Sequence, residues 1–159
     1  VVKVFVYGTL KPGEANYPKY CNGKVLNAKP AYALGQLFAL PQEYPAMIKG
    51  DNQVYGYLLT FAHTEALNEL DELEDYHPSR HNSENLYNRE QIEIFTLESK
   101  IEVPSLNQES SNQVLSGKVN LSIAWVYLMS ENQVYRFKGI PKNNGWWSGN
   151  NISIEQFFS

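Results

Sequence analysis

Only one stretch of this chain carries a helical period, while β-type runs recur at short spacing on either side of it, and that imbalance limits the possible folds most. Val2, Val4 and Val6 alternate with Lys3, Phe5 and Tyr7 in a β-branched and aromatic run that predicts a central strand ending at Gly8. Tyr32 to Leu40 and Gln53 to Phe61 read as two more strands, separated by Pro41, Pro45 and the turn formers Gly50, Asp51 and Asn52. Tyr87 to Leu97 and Leu121 to Met129 return to the same composition. Lys11 to Pro18 is full of chain breakers and Tyr20 to Lys29 shows no clear period, so a loop with a short helix is expected there. The expected fold is α+β: a small, mainly antiparallel β-barrel or curled sheet, with one main helix (64–75) and short helices packed against it. A doubly wound parallel sheet would need more helices.

The 159 residues suit one domain, 1–159, with a polar insert near 105–118 whose Ser, Asn, Gln and Gly content predicts a mobile loop. A formal charge of −4 and a pI near 5.4 leave no basic footprint, so nucleic acid and anionic membrane surfaces are not expected partners. The single cysteine, Cys21, has no partner for an internal disulfide and no CxxC spacing around it, which fits a reducing cytoplasm. No apolar run approaches the roughly 20 residues needed to span a bilayer. The sequence also opens on a strand rather than a signal peptide, so a cytoplasmic location is expected and the sequons at Asn120 and Asn151 are read as chance matches. Monomer and homodimer both remain open.

Thr64 is placed to cap the helix, with Ala66, Leu67, Leu70 and Leu73 near the helical period. Six acidic residues crowd this segment, and a solvated acidic face accounts for most of them. Advancing about 100° per residue from Leu67, the apolar face centres at about 300° and Glu74 falls at about 340°. Glu65, Glu72 and Asp75 lie far from that face, with Glu69 and Asp71 on its borders. Only Glu74 points inward. A carboxylate facing a core is costly unless paired, and its pKa rises towards the range useful for proton transfer. Two outcomes stay open at this point: a general acid/base, or a buried Glu74 paired with Arg80 or Arg89 or hydrogen-bonded by a tyrosine.

Tyr7-Gly8-Thr9-Leu10 places a glycine at a strand end, where it can take positive φ and expose successive backbone N–H groups to an anion or carbonyl oxygen. An ordinary tight turn would look the same.

Val4-Phe5-Val6-Tyr7-Gly8-Thr9-Leu10-Lys11 resembles the opening motif of gamma-glutamylcyclotransferase-like proteins, particularly the gamma-glutamylamine cyclotransferase branch, which includes plant avirulence-induced-gene-like proteins. Tyr44-Pro45-Ala46, Val54-Tyr55-Gly56, Leu70-Asp71-Glu72-Leu73-Glu74 and Tyr87-Asn88-Arg89 resemble the later blocks, in the family's order. The likeness covers about Val2 to Phe95 and resumes near Ala124 to Tyr127. It implies intramolecular aminolysis of a small-molecule gamma-glutamyl substrate, giving 5-oxoproline and a free amine without cofactor or metal. It also implies Glu74 as general acid/base and the backbone of Gly8, Thr9 and Leu10 as the substrate cradle. Tyr7 and Tyr127 are candidates to put phenolic hydroxyls in the same cavity, although a core tyrosine with a backbone partner is the commoner arrangement, and Arg89 reads as structural. The same fold could instead serve a deprotecting enzyme acting on gamma-glutamyl groups, or a non-catalytic binding protein with Trp146 and Trp147 as an exposed partner surface.

Other motifs carry less. His77 and His81 have a helical metal-binding spacing, but Pro78 lies between them, so they read as loop histidines. Cys21 has no histidine tied to it by sequence, and no phosphate-binding glycine loop is present.

Overall fold

The computed structural model of the protein describes residues 1–98 and 118–159. Strand β1 (Val2–Val6) lies between β3 (Pro45–Phe61), antiparallel with Val4 opposite Leu59, and β5 (Lys118–Leu128), parallel with Val4 opposite Trp125. Strand β4 (Asn88–Glu98) pairs antiparallel with β5, and β2 (Val25–Ala39) pairs with β4, with β3 and with the short β6 (Ile140–Pro141). The order β3-β1-β5-β4-β2-β6 therefore curls until β2 also meets β3. This is the expected α+β, mainly antiparallel curled sheet.

Both faces of β1 are buried. Val2, Val4 and Val6 join one apolar cluster, Phe5 and Tyr7 the other, and Lys3 alone points to water. Burial on both faces explains why apolar residues run almost unbroken there.

Two stretches differ from expectation. Strand β2 starts at Val25, after a helix α1 (Tyr17–Tyr20), and no residue from Val25 to Pro30 is fully buried, so no face was marked in the pattern. Gly50, Asp51 and Asn52 do not turn the chain. Lys49, Gly50 and Asp51 form a bulge inside β3, where the pairing steps from Gly35 opposite Asn52 to Gln36 opposite Ile48. The hairpin turn lies instead at residues 40–44, closed by the Leu40 amide donating to the Tyr44 carbonyl.

Helix α2 (Ala66–Leu73) is shorter than predicted, and Thr64 does not cap it: Glu65 holds the N-cap position without a side-chain hydrogen bond. Leu67 and Leu70 enter the cluster that contains Val4, Val6 and Tyr127, which fixes the rotation of the helix against β1 and β5. Helix α3 (Glu131–Arg136) is capped by Ser130, and α4 (Ile154–Phe158) opens with a capping box of Ser153 and Gln156. The polar insert expected near 105–118 lies outside the described residues, apart from Lys118 at the start of β5. No helix among the described residues is long and apolar enough to cross a membrane.

Candidate active site

The turn after β1 is shaped by sterics rather than by dihedral freedom. Gly8 is not in the positive-φ region expected for it. A Cβ there would meet Pro45 Cγ at 2.5 Å and Cδ at 2.8 Å, so the glycine is required by the close approach of the hairpin turn. The Gly8 carbonyl accepts from the Lys11 amide at 3.0 Å and the Thr9 carbonyl from the Asn16 amide at 2.9 Å, while Thr9 Oγ1 accepts from Asn16 Nδ2. Among the described residues, the amides of Gly8, Thr9 and Leu10 make no hydrogen bond outside the strand ladder. All three residues line a cavity.

The turn is clamped from behind. Lys11 and Glu14 are almost fully buried, with the Lys11 ammonium 3.3 Å from the centre of the Trp146 ring and donating to the Trp147 carbonyl. Glu14 accepts from Ser148 Oγ at 2.6 Å and the Gly149 amide at 2.9 Å. Burial pulls the Lys11 ammonium down to about 7, opposed by the Glu14 charge. Trp146 and Trp147 are buried, and Phe157 of α4 packs on Trp146 with ring centroids 5.0 Å apart. The tail therefore covers the body of the protein and is not the exposed patch that a partner-binding role predicted. Lys11 and Glu14 went unmarked in the sequence because charged residues among Pro and Gly look like solvated loop.

Glu74 occupies the C-cap of α2, its amide bonded to the Leu70 carbonyl and its carbonyl accepting from the Tyr87 amide. Its carboxylate has no ion pair and no hydrogen bond from any described residue. Arg80 pairs with Asp75 and Arg89 with Asp71, so neither arginine neutralises it. The side chain keeps some accessible surface because it faces a cavity, yet protein surrounds it closely enough that burial pushes its pKa up to about 8. Its place at the carbonyl end of a helix with no basic residue in the last turn also disfavours the anion.

Four tyrosines feel the Glu74 charge, and three have committed their hydroxyls elsewhere. Tyr7 donates to the Tyr127 carbonyl at 2.6 Å and accepts from the Met47 amide at 3.2 Å. Tyr87 donates to the Pro45 carbonyl at 2.6 Å, and Tyr127 donates to Asp71 Oδ1 at 2.7 Å. Burial first holds the Tyr7 and Tyr87 phenols well above their ordinary range, followed by the Glu74 charge at Tyr7 and by Tyr7 and then Glu74 at Tyr87. Burial and then Asp71 do the same for Tyr127. Tyr44 is the exception: its hydroxyl has no partner among the described residues, and burial followed by Glu74 raises its pKa. Asp71 also receives Arg89 Nε at 2.9 Å and a guanidinium N–H at 3.2 Å on its other oxygen, with Trp125 stacked 4.3 Å from the guanidinium carbon. The wheel had left Asp71 on the border of the apolar face. Its role as the anchor of Arg89 and Tyr127 appears only once β4 and β5 are placed beside α2.

One cavity of about 350 Å³ joins these parts. That is within the roughly 300–1,000 Å³ of small-molecule sites. Tyr7, Gly8, Thr9, Leu10, Glu74 and Tyr127, the six residues singled out from the sequence, all line it, together with Asn16, Glu43, Tyr44, Pro45 and Tyr87. Cys21 is buried away from it, its thiol pushed up to about 12 by burial. His81 accepts from the Ser83 amide in a short 3-10 turn (Asn82–Glu84), and neither it nor His77 lies on a helix.

Comparison with known proteins places the chain in a family. A protein of Vibrio cholerae designated "Putative gamma-glutamylcyclotransferase" is 42% identical over 76 residues, which cover 45% of this chain and 61% of that protein. A mouse AIG2-like protein, also designated GGACT, shares the fold with a TM-score of 0.60 at 18% identity, covering 92% of this chain and 88% of the other. YkqA of Bacillus subtilis superposes with a TM-score of 0.51 at 19% identity over 92% of this chain, but only 39% of YkqA is covered. The chain thus spans less than two thirds of the length of the Vibrio and Bacillus relatives. The sequence profile of the family described as "Gamma-glutamyl cyclotransferase, AIG2-like" matches residues 4–149. The chain belongs to the gamma-glutamyl cyclotransferase, AIG2-like family.

Proposed function

We propose that this protein is a gamma-glutamyl cyclotransferase that converts a gamma-glutamyl amine or amino acid into 5-oxoproline and a free amine, with Glu74 as the general acid/base. The observation that carries this reading is a Glu74 carboxylate with no partner among the described residues, lining the same cavity as Gly8, Thr9 and Leu10.

In the reaction the substrate's α-amine attacks its own side-chain amide carbonyl carbon. A C–N bond forms to close the five-membered ring, and the bond from that carbon to the leaving nitrogen breaks. An ammonium has no lone pair for attack, so Glu74 takes its proton and later delivers one to the departing amine. Burial raises Glu74 to about 8, towards the range of an amine, which favours proton exchange between the two. The Gly8, Thr9 and Leu10 amides hold the substrate's carboxylate or its developing oxyanion, and the fixed turn favours the folded conformer that cyclises. Tyr7 and Tyr127 contribute as walls, since their hydroxyls are committed within the protein. The chemistry as written requires no cofactor or metal.

Incubation with a gamma-glutamyl alkylamine and a gamma-glutamyl amino acid tests the reading. The expected result is 5-oxoproline in equimolar amount with released amine from at least one of them. Release of glutamate instead, or of neither product, contradicts it.

A further inference from the structure

Four hydrogen bonds join the chain just past the amide cradle to residues 147–150. The Lys11 ammonium donates to the Trp147 carbonyl, Glu14 accepts from Ser148 Oγ and from the Gly149 amide, and Asn150 Nδ2 donates to the Gly13 carbonyl at 2.7 Å. The same stretch is bonded to the cradle on its other side, with the Lys11 amide donating to the Gly8 carbonyl and the Glu14 amide to the Lys11 carbonyl. None of Lys11, Glu14, Trp146 and Trp147 lines the cavity. They reach a substrate only through the turn.

A lysine is a costly way to fill this space. Its residue is 1% exposed, Glu14 lies 4.0 Å from the ammonium, and burial pulls the ammonium down to about 7. A well-packed apolar side chain would often be as stable, because the attraction within a buried ion pair barely offsets its desolvation. What the lysine adds is direction. A hydrogen bond to one carbonyl and a seat 3.3 Å from the centre of the Trp146 ring fix where its own backbone lies, and that backbone is the next after Leu10.

We propose that Lys11 is a positioning residue, tying the Gly8 to Leu10 turn to the 146–149 segment so that the cradle amides meet the glutamyl carboxylate of the substrate in one fixed arrangement. This deepens the cyclotransferase reading and rests on it. The carboxylate is present in substrate, transition state and 5-oxoproline alike, so a turn that drifts loses the same binding from all three. The loss therefore falls on KM and on product affinity, and spares kcat.

The test measures kcat and KM on whichever gamma-glutamyl alkylamine or amino acid yields 5-oxoproline, together with the Kd of 5-oxoproline by calorimetry, for wild type, Lys11→Met and the double variant Lys11→Met with Glu14→Gln. Each protein is assayed well below its own Tm. Lys11→Met is expected to raise KM and the 5-oxoproline Kd in parallel by about tenfold, with kcat within about threefold of wild type. It also leaves the Glu14 charge buried without its cation, so its Tm falls. The double variant removes that charge and is expected to regain part of the Tm while KM and Kd stay raised. A merely structural lysine predicts instead that KM and Kd return with the Tm, and that result overturns the proposal. So does a wild-type KM and Kd in either variant, or a fall confined to kcat. If Lys11→Met alone does not fold, the double variant and Trp146→Phe, which weakens the cation's seat, decide by the same readout. All of these outcomes leave the cyclotransferase reading intact, whereas no 5-oxoproline from the wild-type protein overturns both.

Discussion

The Tyr127 hydroxyl donates to Oδ1 of Asp71 at 2.7 Å, on the same oxygen that Arg89 Nε reaches at 2.9 Å. One carboxylate thus absorbs both the phenol and the guanidinium that lie closest in sequence pattern to the catalytic candidate. Asp71 sits one helical turn before Glu74 on α2. The pairing leaves Glu74 with neither a cation nor a donor among the described residues, and burial raises its carboxyl to about 8.

Removing Asp71 is therefore expected to be costly. Arg89 and Asp71 have side chains only 14% exposed, so Asp71→Ala strands a mostly buried guanidinium. The expected loss in chemical denaturation is roughly 3 kcal/mol. The double substitution Asp71→Leu with Arg89→Met is expected to recover more than half of it, because no charge is then left unpaired. Additive losses in the double variant would contradict this account.

Gly8→Ala addresses the cradle. The new Cβ would sit 2.5 Å from a ring carbon of Pro45, which cannot rotate away. Destabilisation of roughly 1–3 kcal/mol is expected, with a rise in KM as the turn shifts. Adding Pro45→Ala should restore much of both. A single variant with wild-type stability and KM would show that the contact does not shape the site.

Tyr7→Phe leaves the Met47 amide and the Tyr127 carbonyl without their partner. Two buried backbone groups then lose a hydrogen bond, and an equilibrium unfolding measurement is expected to show a loss of roughly 1–3 kcal/mol. A large fall in kcat without a fall in stability would instead place the hydroxyl on the substrate.

Glu74 gives stability a pH slope. Its folded pKa lies above its ordinary value of 4.5, so between about 4.5 and about 8 the folded protein binds this proton more tightly than the unfolded chain. The stabilisation is present at low pH and is lost as pH rises through that window. Glu74→Gln removes the slope, and its stability relative to wild type should rise between pH 5 and pH 9 by on the order of 1–3 kcal/mol, discounted for solvent in the cavity. Lys11, pulled down to about 7, tilts stability the other way above neutral pH, so the comparison is made between variant and wild type at each pH. A constant difference across the range would place the Glu74 pKa near its ordinary value.

Strand β1 and the inward carboxylate were legible because each leaves a periodic trace in its own residues, whereas the start of β2 at Val25 and the short β6 leave none. Val2, Val4 and Val6 marked β1, and the angle of Glu74 on α2 set it apart from five other acids. Glu74 avoiding Arg80 and Arg89 was not legible, since both candidate pairings fitted the sequence and only the placement of β4 beside α2 gives Arg89 to Asp71. Gly8 was marked for a conformation it does not adopt, because the proline that demands it lies 37 residues away. The bulge at Lys49 to Asp51, next to Asn52, resembles a turn because turns and bulges use the same residues. Lys11 and Glu14 were hidden for a related reason: what buries them is the far end of the chain.

The most direct test of the central claim is the rate of 5-oxoproline formation by wild-type protein and Glu74→Gln, each first shown to be folded by thermal unfolding. Glutamine keeps the shape of the side chain and cannot carry the proton. A loss of at least 100-fold in kcat is predicted, with the remaining rate no longer dependent on a group near pH 8. Equal turnover by the two proteins would contradict the assignment of Glu74 as the acid/base.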